Sequence, residues 1–328
     1  MVPYKFLDWI DINKIDWKML SLNENAIQLL EQNLDKIDWL CISYNKNAMS
    51  ILEKNLDKIN WSRLSGNPNA IYLLEKNLDK VNWNALSLNP NAIYLLEKNL
   101  DKVDWRYLSY NPNAIDLLMS NQDKINWYQL SQNSNAIDLL TSNYDKIKWD
   151  YLSNNPNAIH LLKEHLDESR RDGSVCKIQW SFLSLNPNAI NILEQNIDKI
   201  DWLYLSENPN AIGLLAANQD KINWSGLSKN RNAIQIFEKH LDKVAQNPNA
   251  IDLLKINWYG LSQNPNAIDL LEKNQDKIIW YYLFKNPNIF TYDYETMKQR
   301  INIFKEELIQ TMFHPKNIYK FEDWGFNI

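Results

Sequence analysis

Residues 103–118 read VDWRYLSYNPNAIDLL, and close variants of this stretch recur along most of the chain. Its tryptophan, Trp105, belongs to a series that returns every 22 residues, interrupted by one insertion and one irregular stretch. The tryptophans of the series are Trp17, Trp39, Trp61, Trp83, Trp105, Trp127, Trp149, Trp180, Trp202, Trp224, Trp258 and Trp280. Self-similarity at such a period is typical of stacked structural repeats, so the 328 residues are expected to form one continuous array.

The second half of each repeat, for example NPNAIYLLEKNLDK at 89–102, predicts a short amphipathic helix that we call the leucine helix. Asn89 is a good N-cap because its side chain can accept a backbone N–H, and Pro90 suits the first helical position. Asn99 tolerates the left-handed conformation that often ends a helix. The predicted leucine helix therefore runs from Pro90 to Lys98.

The first half of each repeat predicts a second, shorter helix, which we call the tryptophan helix. Asp104 can cap a helix that starts at Trp105, and nine of the twelve repeat tryptophans follow an Asp or Asn. Val103 and Leu108 are placed to form a hydrophobic staple across this cap. The predicted helix ends near Ser109.

Neither helix is long enough to be stable alone in water, so each repeat must bury its apolar residues against its neighbours. We therefore predict an all-α fold, an α/α solenoid of about twelve 22-residue two-helix repeats, with the twelve tryptophans as its structural core. Leucine-rich repeats share the period, and Leu86 to Asn89 has their Leu-x-x-Asn spacing. However, the position where they need an apolar residue holds Lys18, Arg106 or Asp150 in other repeats.

The domain organisation follows from where the repeat begins and ends. We expect the array over 17–289, an N-terminal cap over 1–16 and a C-terminal capping helix with a tail over 290–328, because the ends of a solenoid need covering. Residues 168–176, ESRRDGSVC, predict an exposed inserted loop. Shortened units at 242–257 predict a kink or an incomplete repeat.

Few residues suggest catalysis. His165 and His240 occupy the position that elsewhere holds the asparagine at the end of the leucine helix, which indicates a structural role. Cys41 and Cys176 have no metal-ligand spacing to the histidines. Six glycines in the chain leave little room for a phosphate-binding loop. We predict that the protein is not an enzyme and that it holds no cofactor and no metal.

Composition favours an intracellular protein that does not insert into membranes. The net charge is −5, and the sequence shows neither a secretory signal nor a long apolar run. Two cysteines among 328 residues suit a reducing compartment. Helical repeats that read RNA need a basic groove, and the pI of about 5.5 makes nucleic acid a less favoured partner.

The 47 asparagines concentrate at the repeat turns, where their amides are expected to bond from one repeat to the next. The positions that vary most from repeat to repeat are the first and second residues after the tryptophan, the residue after the serine and the residue after Ala-Ile. Several of them hold tyrosine, which is typical of a modular protein-binding surface. The residues that we expect to contact a protein partner are Tyr72, Tyr94, Arg106, Tyr107, Tyr128, Tyr151, Phe182, Tyr204 and Tyr282.

The consensus LSxNPNAIxLLExNxDKIxW resembles the Asn- and Trp-rich tandem repeats of giant DNA viruses, relatives of mimivirus in particular. The stretches Glu306–Ile309 and Phe313–Lys316 resemble an ending that recurs in large-virus proteins. The resemblance implies a viral protein made in an infected protist, in the host cytoplasm, a viral factory or the virion. That family has no established activity, so the resemblance transfers no site residues.

Three functions remain open at this point. The first is a scaffold that binds other proteins, such as host factors, through one face of the array. The second is a structural component of a virion or viral factory. The third, which the acidic pI disfavours, is a modular RNA- or DNA-binding protein.

Overall fold

The computed structural model describes residues 4–245, 256–312 and 314. Residues 11–287 form one compact unit, and the residues before 11 and after 287 form a second. Among its described residues, the first unit consists of eleven two-helix repeats in tandem and a twelfth tryptophan helix, which confirms the predicted all-α solenoid of about twelve repeats. We number these repeats 1 to 12 by their tryptophans, from Trp17 to Trp280.

Each repeat begins with its tryptophan helix. The Asp or Asn before the tryptophan accepts a backbone N–H in nine repeats, as predicted. Asp104, for example, accepts from the amides of Arg106 and Tyr107 at 3.0 and 3.1 Å. The tryptophan helices are α1 (Trp17–Ser21), α3 (Trp39–Ile42), α5 (Trp61–Ser65), α7 (Trp83–Leu88), α9 (Trp105–Tyr110), α11 (Trp127–Gln132), α13 (Trp149–Leu152), α15 (Trp180–Leu185), α17 (Trp202–Glu207), α19 (Trp224–Leu227), α21 (Trp258–Gln263) and α23 (Trp280–Leu283).

The leucine helices follow after a turn. They are α2 (Ile27–Glu31), α4 (Met49–Glu53), α6 (Ile71–Glu75), α8 (Ile93–Glu97), α10 (Ile115–Met119), α12 (Ile137–Thr141), α14 (Ile159–Asp172), α16 (Ile190–Glu194), α18 (Ile212–Ala217), α20 (Ile234–Ala245) and α22 (Ile268–Glu272). α8 begins three residues after the predicted Pro90, because Asn89 does not cap it. The Asn89 side chain instead accepts from the amide of Asn91 at 3.0 Å and donates to the preceding repeat.

The end of the leucine helix also differs from the prediction. Asn99 has a φ of −137°, so the predicted left-handed ending is wrong. Its side-chain amide donates to the carbonyl of Leu95 at 2.8 Å and closes the helix from the side. In many repeats a 3₁₀ turn then leads to the next tryptophan helix. These turns are Leu78–Lys80, Leu100–Lys102, Gln122–Lys124, Tyr144–Lys146, Ile197–Lys199, Gln219–Lys221 and Gln275–Lys277.

The core is made mainly of small and aliphatic side chains, with Phe237 and Phe284 fully buried in two repeats. In repeat 5, Leu108, Ser109, Ala114 and Leu118 are fully buried. The tryptophans lie at the edge of this core and are half-buried, with the exception of Trp149. The prediction that the tryptophans form the core is therefore wrong. The indole stands at the first residue of a short helix, so it lies at the edge of the core, and the leucine three residues later is the side chain that is fully buried.

One face of each indole is covered by a side chain from the end of a leucine-helix segment. A lysine ammonium lies 4.5 to 5.4 Å from the ring centroid in ten repeats. In the other two, His165 stacks on Trp149 at 4.0 Å and His240 stacks on Trp224 at 3.8 Å. The sequence predicted both histidines at the end of a leucine helix, but each lies inside a longer helix, His165 in α14 and His240 in α20.

A buried asparagine joins each repeat to the one before it, and we call this series the asparagine ladder. The side-chain amide of Asn111 donates to the carbonyls of Ser87 and Asn89 at 3.0 Å. A second amide, on Asn113, donates to the carbonyl of Pro90 at 2.9 Å. The predicted bonding between repeats is confirmed. The ladder residues are Asn23, Asn45, Asn67, Asn89, Asn111, Asn133, Asn155, Asn186, Asn208, Asn230, Asn264 and Asn286.

The asparagine ladder closes on itself. The side-chain amide of Asn23, in repeat 1, donates to the carbonyls of Phe284 and Asn286, in repeat 12, at 3.0 and 2.9 Å. Asn25 donates to the carbonyl of Pro287 at 2.9 Å. Within residues 11–287 the array is therefore a closed ring of repeats rather than an open solenoid.

Repeat 12 is assembled from both ends of the array. Its tryptophan helix comes from the late sequence, but its 3₁₀ turn, Ile12–Lys14, comes from the early sequence. Lys14 places its ammonium 4.5 Å from the ring centroid of Trp280, as the lysine of other repeats does for its own tryptophan. Ile12–Lys14, which we predicted as part of an N-terminal cap, thus completes the last repeat.

Two irregular stretches are accommodated by longer leucine helices. α14 continues to Asp172, so the first half of the predicted loop at 168–176 is helical. Gly173 ends it with a φ of 69°. The shortened units at 242–257 lie mostly outside the described residues. The ladder amide of Asn264 donates to the carbonyl of Asn230 at 3.1 Å, so repeat 11 stacks directly on repeat 10.

The second unit contains two short strands and a helix. β1 (Tyr4–Phe6) pairs antiparallel with β2 (Phe290–Tyr292), and the rings of Phe6 and Phe290 stack with centroids 4.7 Å apart. The predicted C-terminal helix is present as α24 (Tyr294–Met312). The capping role of these segments stays a prediction, and the tail after 314 lies outside the described residues.

Candidate protein-binding surface

Four positions of each repeat lie on the tryptophan helix and the turn after it, and most of their residues are exposed or half-buried, although Met19 and Cys41 are buried. The four positions are the first and second residues after the tryptophan, the residue after the buried serine position, and the residue after the ladder asparagine. In repeat 5 these are Arg106, Tyr107, Tyr110 and Pro112. We call the surface that these positions form around the array the tryptophan-helix surface.

Residues at these positions line a cavity of about 640 Å³ in one part of the array. Its lining combines all four kinds of position from repeats 10, 11, 12 and 1, and includes Leu22, Glu24, Lys229, Arg231, Tyr259 and Lys285. Gly260 lets the two neighbouring repeats approach closely, because a Cβ at this position would lie only 3.0 Å from the Cβ of Ser228. The early and late residues meet here because the array is closed.

Aromatic side chains occupy this surface on five consecutive repeats. Tyr107, Tyr128 and Phe182 are 37%, 50% and 37% exposed, and Tyr151 and Tyr204 are half-buried. The tryptophan helices that carry them pack side by side, α9 on α11, α11 on α13 and α15 on α17. The rings of Tyr128 and Tyr151 meet edge to face with centroids 5.4 Å apart. We call the five residues the aromatic band.

The remaining predicted contact residues are divided between this surface and another one. Arg106 is exposed beside the aromatic band. Tyr282 lies elsewhere on the tryptophan-helix surface, with its ring centroid 3.9 Å from that of Tyr259. Tyr72 and Tyr94 are exposed but lie on the leucine helices α6 and α8. The structure therefore does not bring these two together with the aromatic band.

Sequence reasoning missed several exposed apolar residues of the same surface. They are Tyr44, Tyr110, Leu203, Tyr259 and Tyr281, with exposed fractions between 39% and 52%. These residues could have been found from the sequence, because each occupies one of the variable positions next to the conserved tryptophan or serine of its repeat. The sequence alone did not show that the positions after the tryptophan and the position after the serine belong to one surface.

Cys41 and His165 are two titratable side chains whose pKa values are shifted by burial. Burial, followed by the hydrogen bond to Asp38, raises the pKa of the Cys41 thiol to about 11, and a thiol in that state is a poor nucleophile. Burial also lowers the pKa of His165, against the opposing effect of Glu168. Over the described ranges, no three His, Cys, Asp or Glu side chains come together as a metal would require.

Comparisons with known proteins identify no relative: no protein family model, no curated protein and no solved structure matches this chain. Among the helices of the described residues, none has both the length and the apolar character to cross a bilayer.

Proposed function

We propose that this protein is a non-enzymatic scaffold that binds another protein across its tryptophan-helix surface. The observation that carries the proposal is the aromatic band. Tyr107, Tyr128, Tyr151, Phe182 and Tyr204 lie at positions that the repeat leaves free to vary, on helices that the asparagine ladder holds fixed. Aromatic side chains on a rigid frame bury large areas at small entropic cost, as the anchors of protein interfaces do.

The closure of the array favours a protein that binds a partner over one that assembles end to end into a filament. Asn23 and Asn25 of repeat 1 donate to carbonyls of repeat 12, so the edges of these two repeats already contact each other. A filament built by stacking one array on the next would need those edges. A role as a packaged viral structural component, and viral origin itself, remain predictions from the sequence.

The experiment compares two sets of tyrosine substitutions. Tyr107→Ala, Tyr151→Ala and Tyr204→Ala together should abolish capture of a partner from a lysate of the cells that make this protein, identified by cross-linking mass spectrometry. The control is Tyr72→Ala with Tyr94→Ala on the leucine helices, which should capture normally. Both variants should unfold thermally within a few degrees of the wild type. Capture that survives the triple substitution would contradict the proposal.

A further inference from the structure

The tryptophan-helix surface carries a charge opposite to that of the whole chain. Its four positions hold the basic residues Lys18, Lys46, Arg63, Arg106, Lys229, Arg231 and Lys285, all exposed, and the acidic residues Glu24, Asp150 and Glu207. Seven basic and three acidic side chains give this surface a net charge of +4, whereas the chain has −5. The charges are therefore segregated by face.

The acidic residues concentrate on the leucine helices and on the turns that follow them. Glu31, Glu53, Glu75 and Glu97 each end a leucine helix and are exposed. The lysines of the same turns lie over the indoles. An acidic partner would be repelled by the leucine-helix face and attracted to the tryptophan-helix surface.

We infer that the tryptophan-helix surface binds an acidic polypeptide segment, in which carboxylates alternate with apolar side chains. The inference rests on the proposed protein-binding function and names the chemistry of the partner. Arginine guanidinium groups match carboxylates in a two-point geometry, and tyrosine faces accept apolar side chains. Arg106 lies beside Tyr107 at the start of the aromatic band, so both kinds of contact are available to one extended segment.

The cavity is the second anchoring point. Arg231 and Lys285 are exposed at its wall, beside Tyr259. Lys229 forms an ion pair with Glu207 at 2.7 Å, so part of the local positive charge is already compensated. A carboxylate entering the cavity would meet Arg231 and Lys285, whereas Glu24 of repeat 1 limits how much negative charge the cavity admits.

The spacing of the charges favours a polypeptide over a nucleic acid. A phosphate backbone carries a charge on every nucleotide and needs a continuous track of cations. Between Arg106 and Lys229 the tryptophan-helix surface holds Asp150, Glu207 and aromatic side chains. Discontinuous cations suit a segment whose own charges are separated by apolar residues.

The test selects peptides from a displayed random library of about 16 residues, long enough when extended to cross several repeats. The full chain is the bait, and peptides are counted only if the triple variant Tyr107→Ala, Tyr151→Ala, Tyr204→Ala fails to retain them. We expect the enriched peptides to be acidic and to contain aromatic or aliphatic residues. Their binding, measured by fluorescence anisotropy, should weaken as salt rises.

A matched pair of charge reversals completes the test. Arg106→Glu, Arg231→Glu and Lys285→Glu together should weaken the enriched peptides about tenfold or more. Lys54→Glu, Lys76→Glu and Lys273→Glu make the same change in net charge on the leucine helices, and should alter binding less than about threefold. Circular dichroism of both variants checks that the repeats remain folded.

The other outcomes separate the two proposals. Enrichment of neutral or basic peptides would overturn the acidic partner but leave protein binding intact. No enrichment above the triple tyrosine variant would overturn protein binding as well. A single-stranded oligonucleotide of about 16 nucleotides, bound at physiological salt and lost on the Arg106, Arg231 and Lys285 reversal, would replace the acidic polypeptide by a nucleic acid.

Discussion

The ladder asparagine is the residue that holds the repeats together. Its amide donates to two carbonyls of the preceding repeat while its oxygen accepts from the amide two residues on, as Asn111 does with Ser87, Asn89 and Asn113. No other side chain offers both a two-proton donor and an acceptor at this length. The residue is fully buried, so each of these groups is shielded from water.

Substituting Asn111→Ala should therefore destabilise the fold by about 1–3 kcal/mol, because two carbonyls lose a hydrogen bond in a buried place. Asn111→Asp should cost at least as much, since a carboxylate cannot donate to them. Urea unfolding measures both. Asn84→Ala, at an exposed position, is the control and should change stability by less than about 0.5 kcal/mol. Equal effects at the two positions would contradict the ladder's role.

A second prediction at the residue scale concerns His165. Burial against Trp149 lowers its pKa below the usual value of 6.5, so the neutral ring is the form that the fold favours. A group whose pKa falls on folding stabilises the protein fully above its unfolded pKa and loses that contribution as pH falls. The wild type should therefore lose stability as pH decreases below about 6.5.

The measurement is urea unfolding at pH 7.5 and at pH 5, with His165→Gln beside the wild type. The variant should lose less stability between the two pH values, because it has no imidazole to protonate. His160→Gln, an exposed position on the same helix α14, is the control and should follow the wild type. A pH response that is the same with and without His165 would rule out this account.

At the scale of elements, the short helices are stable because they pack against helices of the neighbouring repeats. α8 has five residues and α9 has six, well below the length at which an isolated helix persists in water. Side chains close their ends: Asp104 caps α9, and Asn99 closes α8 from the side. The cap formed by Asp104 was predicted from the sequence, whereas the hydrogen bond from the Asn99 side chain was not.

Substitutions of two glycines, one at the end of a helix and one inside a helix, should have opposite effects on stability. Gly173 ends α14 with a φ of 69°, in the region that residues with a side chain rarely adopt, so Gly173→Ala should destabilise by about 1 kcal/mol. Gly213 lies inside α18 with open space where a methyl would go, so Gly213→Ala should stabilise by about 0.5–1 kcal/mol. Thermal unfolding of the two variants should show opposite shifts; shifts of one sign would contradict the assignment.

At the scale of the whole array, the seam between repeats 12 and 1 differs from the other junctions. Elsewhere the serine hydroxyl accepts from a backbone amide of the next repeat, as Ser87 does from Asp104 at 3.1 Å. Repeat 12 has Phe284 at the serine position, and a phenyl ring cannot make that bond. Asn23 and Asn25 form hydrogen bonds across the seam, and Lys14 contacts Trp280.

Closure predicts that repeats 1 and 12 are as protected as repeats in the middle. The end repeats of an open solenoid have a neighbour on one side only and tend to fray. Hydrogen exchange followed by mass spectrometry should show similar protection in α1, α9 and α23. Asn23→Ala with Asn25→Ala should increase exchange mainly at α1 and α23. Fast exchange of both helices in the wild type would indicate an open array.

The same substitutions at Asn111 and Asn113 provide the comparison. They break an interior junction, whose serine bond remains, so the increase in exchange should be centred on α7 and α9 and should leave α1 and α23 unchanged. If both pairs of substitutions raised exchange uniformly, the ring would unfold as one unit and the seam would have no separate stability.

The repeat, its two helices, the caps before nine tryptophans and the variable positions could all be predicted from the amino-acid sequence, because each depends on residues close together in the chain. The bonding of the turn asparagines was also predictable, since the same amide recurs at the same position in each repeat. Two features became visible only in the folded chain: Ile12–Lys14 completes repeat 12, and residues from both ends of the array meet around the cavity. Closure depends on a small rotation accumulated over twelve repeats, and no local pattern of residues encodes where that rotation returns the chain to its start.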